Sequence, residues 1–247
     1  MSAYIIEAIR TPVGKFRGSL AGVRADHLGA HVIAELVKRA GLPADVVDDV
    51  IFGCVTQIGE QSANIARTSL LGAGWPETIP GLTIDRKCGS GEAAVHVAAG
   101  LIHAGSARIV VAGGAENMSR VPMGSNRDLH GEAFGWMASD KYELTGPIAA
   151  TRRVLAQAGL TIKDIDLFEV NEAFAPVPIV WMRELGVSHE KLNVNGGAIA
   201  LGHPLGASGA RIMVSMLHEM ERRGACYGLQ AICCAGGMGT ATIIERL

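Results

Sequence analysis

Cys88 has the residue type and the setting that suit nucleophilic chemistry. It lies in the segment DRKCGSG, residues 85–91, between a predicted strand and a predicted helix. A cysteine at a helix N-terminus meets unpaired backbone N–H groups and the positive end of the helix dipole, which favour the thiolate. The flanking glycines let a substrate carbonyl approach the backbone closely. An arbitrary cysteine is more often a buried, inert side chain, but this context favours a nucleophile.

His203 lies in a second segment whose composition suits a site. Five glycines occur between residues 195 and 209, and Pro204 biases His203 toward an extended backbone. Ordering so many glycines costs conformational entropy, which is justified where a ligand or a close backbone contact requires them. An imidazole here can accept a proton from a thiol or donate a hydrogen bond to a developing oxyanion.

Two further segments contain polar residues at the ends of predicted strands. Cys233 and Cys234 end a strand, and their side chains must face opposite sides of the sheet, so only one of them can reach a site. A second thiol can act as the general acid or base toward a carbon acid, although two core cysteines fit the pattern equally well. Asn171 lies between a strand and a helix, which suits either a site residue or a simple helix cap.

The elements that position these residues alternate between short apolar strands and amphipathic helices. This order predicts an α/β fold with a mainly parallel sheet. The predicted strands are residues 3–8, 50–55, 82–85, 108–112, 167–170, 228–234 and 241–246. The predicted helices are residues 26–40, 89–104, 147–158, 174–185 and 208–223. A Ser-Gly helix start followed by a strand ending in Ala-Gly-Gly occurs twice, at 90–114 and 208–237, which indicates two similar half-domains.

Composition excludes several other classes of protein. The chain has 247 residues and a net charge of −2, so it has no basic field to attract nucleic acid or an anionic membrane. Aromatic residues make up only 4%, and no apolar run is long enough to span a bilayer. The five cysteines show neither CxxC spacing nor an even count, so we expect no metal site and no disulfide framework. A cytoplasmic enzyme is the simplest expectation.

Taken together, the motifs resemble those of the thiolase family of acyl-CoA acetyltransferases. The matching stretches are DRKCGSG (85–91), AGGAENMS (112–119), VNEAFA (170–175), NVNGGAIALGHPLGASGAR (193–211) and CCAGGMG (233–239). The resemblance implies a fold of two duplicated α-β-α-β-α half-domains, here incomplete. It implies an N-terminal half at residues 1–119, a remnant of the loop-domain linker at 120–145 and a C-terminal half at 146–247.

The resemblance also implies a role for each candidate residue. Cys88 would form an acyl-enzyme with His203 accepting its proton, and Cys233 would remove the α-proton of a second acetyl-CoA. His203 and a water held by Asn171 would stabilise the enolate oxygen. The backbone N–H groups of Cys88 and Ala235 would form the other oxyanion hole. Coenzyme A thioesters would be substrates, with no permanently bound cofactor or metal, and the protein would be a homodimer or homotetramer.

This sequence departs from the family pattern in its middle. After Thr145 the chain runs directly into Gly146, where family members have a lobe that covers the active site and binds CoA. Glu92 stands where a neutral residue is usual, and Lys87 where Gln is common. Either the chain has an internal deletion or the sequence joins two pieces of a longer one, and two alternatives to thiolase activity also remain open. One is an inactive remnant that acts as a binding protein, and the other is a decarboxylating ketoacyl synthase, which would have a histidine in place of Cys233.

Overall fold

The computed structural model describes residues 2–126 and 145–247 of the chain. These residues form two compact units. The first comprises residues 2–126 together with the later segment Pro204–Ala210. The second comprises residues 145–203 and Arg211–Leu247.

The first unit is built on a parallel three-stranded sheet of β1 (Asp49–Gly53), β2 (Gly81–Ile84) and β3 (Val110–Gly114). The strand order is β2-β1-β3, with Val50 opposite Gly81 on one side and Val111 on the other. Because β1 is central, nearly all of its side chains are buried. A run of consecutive apolar residues is typical of such a strand, since both of its faces are covered.

Helices cover both faces of this sheet. α1 (Ala25–Arg39) and α2 (Ile65–Gly72) contribute to an apolar cluster with Phe52 of β1, while α3 (Ser90–His103) packs alanines against Ile51 on the other face. The small residues at the start of α3 allow a close approach, because a Cβ on Gly53 would overlap the backbone of Gly91. The sequence thereby fixes the first turn of α3, and the Cys88 loop before it, against the end of β1.

The second unit contains α4 (Gly146–Ala158), β4 (Leu167–Val170), α5 (Pro176–Leu185) and the single-turn α6 (Ala198–Leu201). They are followed by α7 (Ser208–Arg223), β5 (Tyr227–Cys234) and β6 (Met238–Glu245). The sheet order is β4-β5-β6, in which β4 and β5 are parallel and β6 is antiparallel to β5. Phe168 of β4 and Trp181 of α5 meet edge to face, with ring centroids 5.3 Å apart, in the core between the sheet and α4 and α5.

The two units repeat one connection, as the sequence echo predicts. In the first, α3 leads into β3, which pairs in parallel with β1. In the second, α7 leads into β5, which pairs in parallel with β4. A short 3-10 turn precedes β1 in the first unit, at Ala44–Val46, and β4 in the second, at Ile162–Asp164. The structure is an α/β fold of this duplicated kind.

The prediction of a first strand at residues 3–8 is wrong. That segment is extended but belongs to no strand, and the side chains of Tyr4 and Ile6 are 63% and 68% exposed. An extended segment becomes a strand only when a neighbour completes its hydrogen-bond ladder, and no described residue does so here. α2 is an element that the sequence analysis missed.

The predicted division into residues 1–119, 120–145 and 146–247 remains a prediction. Residues 127–144, most of the predicted linker, lie outside the described residues. No helix in the described part of the chain has the length and apolar character needed to cross a membrane.

Candidate active site

Cys88 lies in a tight loop that joins β2 to α3. The loop is fixed by Ser90, whose Oγ accepts a hydrogen bond from the Arg86 N–H at 2.8 Å and donates one to the Lys87 carbonyl at 2.6 Å. Lys87 adopts a positive φ of 52°, which turns the chain sharply just before the cysteine. Cys88 is half-buried and stands immediately before the first turn of α3, as predicted.

Of the two cations beside Cys88, Lys87 has another partner. The Lys87 ammonium forms an ion pair with Asp85. The charge of Arg86 acts on His96, where it adds to burial in lowering the pKa of that imidazole. Glu92, in the first turn of α3, is completely buried. The N-terminus of α3, which Cys88 precedes, is one feature of this loop that suits a thiolate.

Glu116 is a site-supporting residue that the sequence analysis missed. Its buried carboxylate accepts hydrogen bonds from the backbone N–H groups of Val55 (2.9 Å), Thr56 (3.0 Å) and Gly206 (2.9 Å). It also accepts one from the side-chain amide of Gln61, at 3.1 Å. Glu116 thus holds together the loop after β1 and the segment that follows His203 in the chain. A lone acidic residue in the apolar, Gly-rich run AGGAEN was the available signal.

In the second unit, Asn171 and His203 are in direct contact. The Asn171 side-chain Nδ2 lies 3.3 Å from His203 Nε2, so the imidazole accepts there when its proton is on Nδ1. Burial lowers the pKa of His203 to about 4, and the nearby charge of Arg211 acts in the same direction. The imidazole is consequently neutral at pH 7 and able to accept a proton.

Asn171 also presents a buried acceptor. Its Oδ1 has no hydrogen-bond partner among the residues that the structure describes. Buried polar atoms of this kind are normally satisfied by an ordered water or a ligand. The geometry therefore suits Asn171 to hold a water close to His203.

Cys233 and Cys234 end β5, and both are buried. Cys233 lies in the apolar cluster that includes Val170 and Ala231, while the Cys234 sulfur lies 3.9 Å from the carbonyl oxygen of Ile232. The side chains thus face opposite sides of the sheet, as strand alternation predicts. Ala235 begins the tight turn to β6, in which Gly236 and Gly237 have positive φ angles of 88° and 72°. Only glycine adopts such angles readily, so the turn explains this part of the CCAGGMG motif.

Among the described residues, no group of three or more His, Cys, Asp or Glu side chains is arranged to hold a metal ion. Asn171, His203, Cys233 and Ala235 all belong to the second unit, and Cys88 belongs to the first.

Comparison with known proteins covers the whole chain. The family model for the N-terminal domain of thiolase matches residues 3–163, and the model for the thiolase C-terminal domain matches residues 132–246. A steroid 3-ketoacyl-CoA thiolase of Mycobacterium tuberculosis is 33% identical, covering 99% of this chain and 94% of its own length. An acetyl-CoA acetyltransferase of Syntrophomonas wolfei is also 33% identical, over 98% of both chains. A beta-ketoadipyl-CoA thiolase of Escherichia coli is 30% identical, over 99% of both chains.

These alignments are much longer than the chain itself. They extend over 384, 391 and 398 positions, whereas this sequence has 247 residues. More than a third of each alignment therefore has no residue of this chain opposite the relative. This confirms the expectation that an internal part of the family's sequence is missing here.

Proposed function

Because the chain belongs to the thiolase family, whose members are acyltransferases that act on coenzyme A thioesters, we propose that it is an acyl-CoA acetyltransferase that works through a Cys88 acyl-enzyme. The observation that carries the proposal is the neutral His203 beside Asn171, in a chain that also places Cys88 at the start of α3.

In the first half-reaction, the Cys88 sulfur attacks the thioester carbonyl of an acyl-CoA. A bond forms between this sulfur and the acyl carbon, and the bond from that carbon to the CoA sulfur breaks. His203 accepts the Cys88 proton and passes it to the departing CoA thiolate. The low pKa of His203 suits this relay, because the imidazole starts each cycle without a proton.

In the second half-reaction, Cys233 as a thiolate removes an α-proton from acetyl-CoA. The resulting enolate carbon attacks the acyl group on Cys88, a carbon–carbon bond forms and the Cys88 thiolate leaves. The proton on Cys233 then restores the Cys88 thiol, so the cycle balances. His203 and the water held by Asn171 stabilise the enolate oxygen, and the N–H groups of Cys88 and Ala235 stabilise the oxyanion at the acyl carbon. The reverse sequence is thiolysis of a 3-ketoacyl-CoA.

The same proposal includes a homodimer or homotetramer in the cytoplasm. A free Cys88 thiol fits a reducing compartment, since an oxidised Cys88 cannot attack a thioester.

The intact mass of the purified chain, before and after incubation with acetyl-CoA, tests the acyl-enzyme. We expect one acetyl group to add to the wild-type protein and none to Cys88→Ser. Cys226→Ser is the matched control, because Cys226 is also a thiol but is exposed and directly precedes β5. An acetyl group that persists in Cys88→Ser, or its absence from the wild-type protein, would contradict the mechanism and favour an inactive remnant.

A further inference from the structure

The carboxylate of Glu172, the residue after Asn171, is fully engaged with the chain segment that leads to His203. Its Oε1 accepts a hydrogen bond from the Asn193 side-chain amide at 2.9 Å. Its Oε2 accepts one from the backbone N–H of Ile199, also at 2.9 Å. Each carboxylate oxygen therefore binds a different donor, which no neutral side chain of the same size can reproduce.

Asn193 connects this carboxylate to the edge of β4. Its side chain accepts a hydrogen bond from the Val170 N–H at 2.9 Å and donates one to the Val170 carbonyl at 3.0 Å. The Asn193 backbone N–H donates to the carbonyl of Phe168 at 2.9 Å. One end of the segment is thus attached to the strand that directly precedes Asn171 and Glu172.

Gly197 shows how closely the segment approaches Glu172. Its φ of −103° is accessible to any residue, so backbone conformation does not require glycine here. A Cβ at this position would overlap the Glu172 carboxylate. A side chain at this position would therefore have to displace the carboxylate from its two hydrogen bonds, next to the start of α6, which ends two residues before His203.

From this geometry we propose that Glu172 is a positioning residue for His203. Asn171 and Glu172 are consecutive, so one loop after β4 both contacts the imidazole and holds the segment that carries it. Without the carboxylate, the Ile199 N–H and the Asn193 amide lose their shared anchor, and the distance between Asn171 Nδ2 and His203 Nε2 is no longer fixed. The catalytic consequence rests on the proposed function.

Hydrogen exchange on Glu172→Gln tests the anchor directly. Gln replaces one acceptor oxygen by an NH2 group, so one of the two donors must face another donor. We expect amide exchange of peptides spanning residues 197–203 to become about tenfold faster, the effect of losing one hydrogen bond. Peptides from β5 should be unchanged. Glu190→Gln, an exposed glutamate in the same unit, is the control and should exchange as the wild type does. Unchanged exchange at 197–203 in Glu172→Gln would overturn the proposal.

A second measurement follows the chemistry. The rate at which the methyl protons of acetyl-CoA exchange with deuterium oxide reports enolate formation, and it is normalised to the number of Cys88 thiols alkylated by iodoacetamide. We expect this rate, and kcat for thiolysis, to fall about tenfold in Glu172→Gln with KM little changed. A lower melting temperature with an unchanged normalised rate would show that Glu172 is only structural, and would overturn the proposal.

Gly197→Ala gives an independent test that does not depend on Glu172→Gln folding well. Alone, the added methyl group displaces the carboxylate and should reduce the normalised rate. Combined with Glu172→Ala, which removes the carboxylate, it should cause little further loss, so the two effects are non-additive. Additive effects would overturn the proposal.

Wild-type protein that neither forms an acyl-enzyme nor exchanges α-protons would instead overturn the proposed function. Hydrogen exchange would then decide alone whether Glu172 holds the segment.

Discussion

Asp48 and Asp166 make the same pair of hydrogen bonds at equivalent positions in the two units. The Asp48 carboxylate accepts from the backbone N–H groups of Arg108 and Ile109, 60 and 61 residues further along the chain. The Asp166 carboxylate accepts from the backbone N–H groups of two residues at the same spacings. Each aspartate directly precedes the first strand of its unit, β1 or β4, and its donors lie where the chain enters β3 or β5. The side chain therefore aligns the starts of two parallel strands in both units.

Replacing either aspartate by alanine should destabilise the protein by about 1–2 kcal/mol, because two backbone donors lose their acceptor. Urea unfolding of Asp48→Ala and Asp166→Ala measures the two losses, which we expect to be similar. Asp45→Ala, an exposed aspartate in the short helical turn before β1, is the control and should lose little. If Asp48→Ala were no less stable than Asp45→Ala, the aligning role would be wrong.

Much of the fold could be predicted because it depends on local patterns. The bounds of β4 are predicted to the residue and those of α4 to within one residue, because hydrophobic patterns and the glycines that end elements are local signals. Residues 3–8 show the limit of such signals. They have strand-forming side chains, but a strand also requires a neighbour, and the sequence of one segment contains no information about its partner.

The site shows the same limit more sharply. Cys88, Asn171 and His203 could be identified because their types and glycine-rich settings point to chemistry. The roles of Glu116 and Glu172 could not be identified in this way. A lone acidic residue in an apolar run marks Glu116 as unusual, but the partners of both are mainly backbone N–H groups from segments distant in sequence. Every residue type other than proline supplies such a donor, so the donor residues leave no trace in the sequence.

Lowering the pH should destabilise the protein through His203. Burial holds its pKa at about 4 in the folded state, below the ordinary value of 6.5. Between these values the unfolded chain binds the proton and the folded chain does not, so stability is full above pH 6.5 and is lost as the pH falls toward 4. The loss amounts to about 3 kcal/mol.

Urea unfolding at several pH values between 7.5 and 4 measures this dependence. His203→Asn should be less sensitive to acid than the wild type, whereas His189→Asn, which removes an exposed histidine, should follow the wild type. Equal slopes for His203→Asn and the wild type would contradict the low pKa of this imidazole.

The five cysteines should differ in their reactivity toward iodoacetamide in the native protein. Cys226 is exposed and Cys88 half-buried, whereas Cys54 is buried beside Glu116. Burial, together with the Glu116 charge, raises the pKa of Cys54 far above the ordinary range for a thiol, so it remains protonated. Peptide mass mapping after brief labelling should show alkylation at Cys88 and Cys226 and none at Cys54. Early labelling of Cys54 would mean that the Glu116 cluster opens readily.

Glu169 on β4 should make the protein less stable as the pH rises. Its side chain is buried, and burial raises its pKa to about 8 despite the opposing charge of Arg211. Between pH 4.5 and 8 the folded chain holds a proton that the unfolded chain releases, so deprotonation increasingly favours the unfolded state.

Glu169→Gln keeps the size of the side chain and removes its titration. It should be more stable than the wild type at pH 8.5, by about 4–5 kcal/mol, with a smaller difference at pH 5. Glu190→Gln, at an exposed position, should leave the pH dependence as it is. Parallel stability profiles for Glu169→Gln and the wild type would show that Glu169 is ionised in the folded protein.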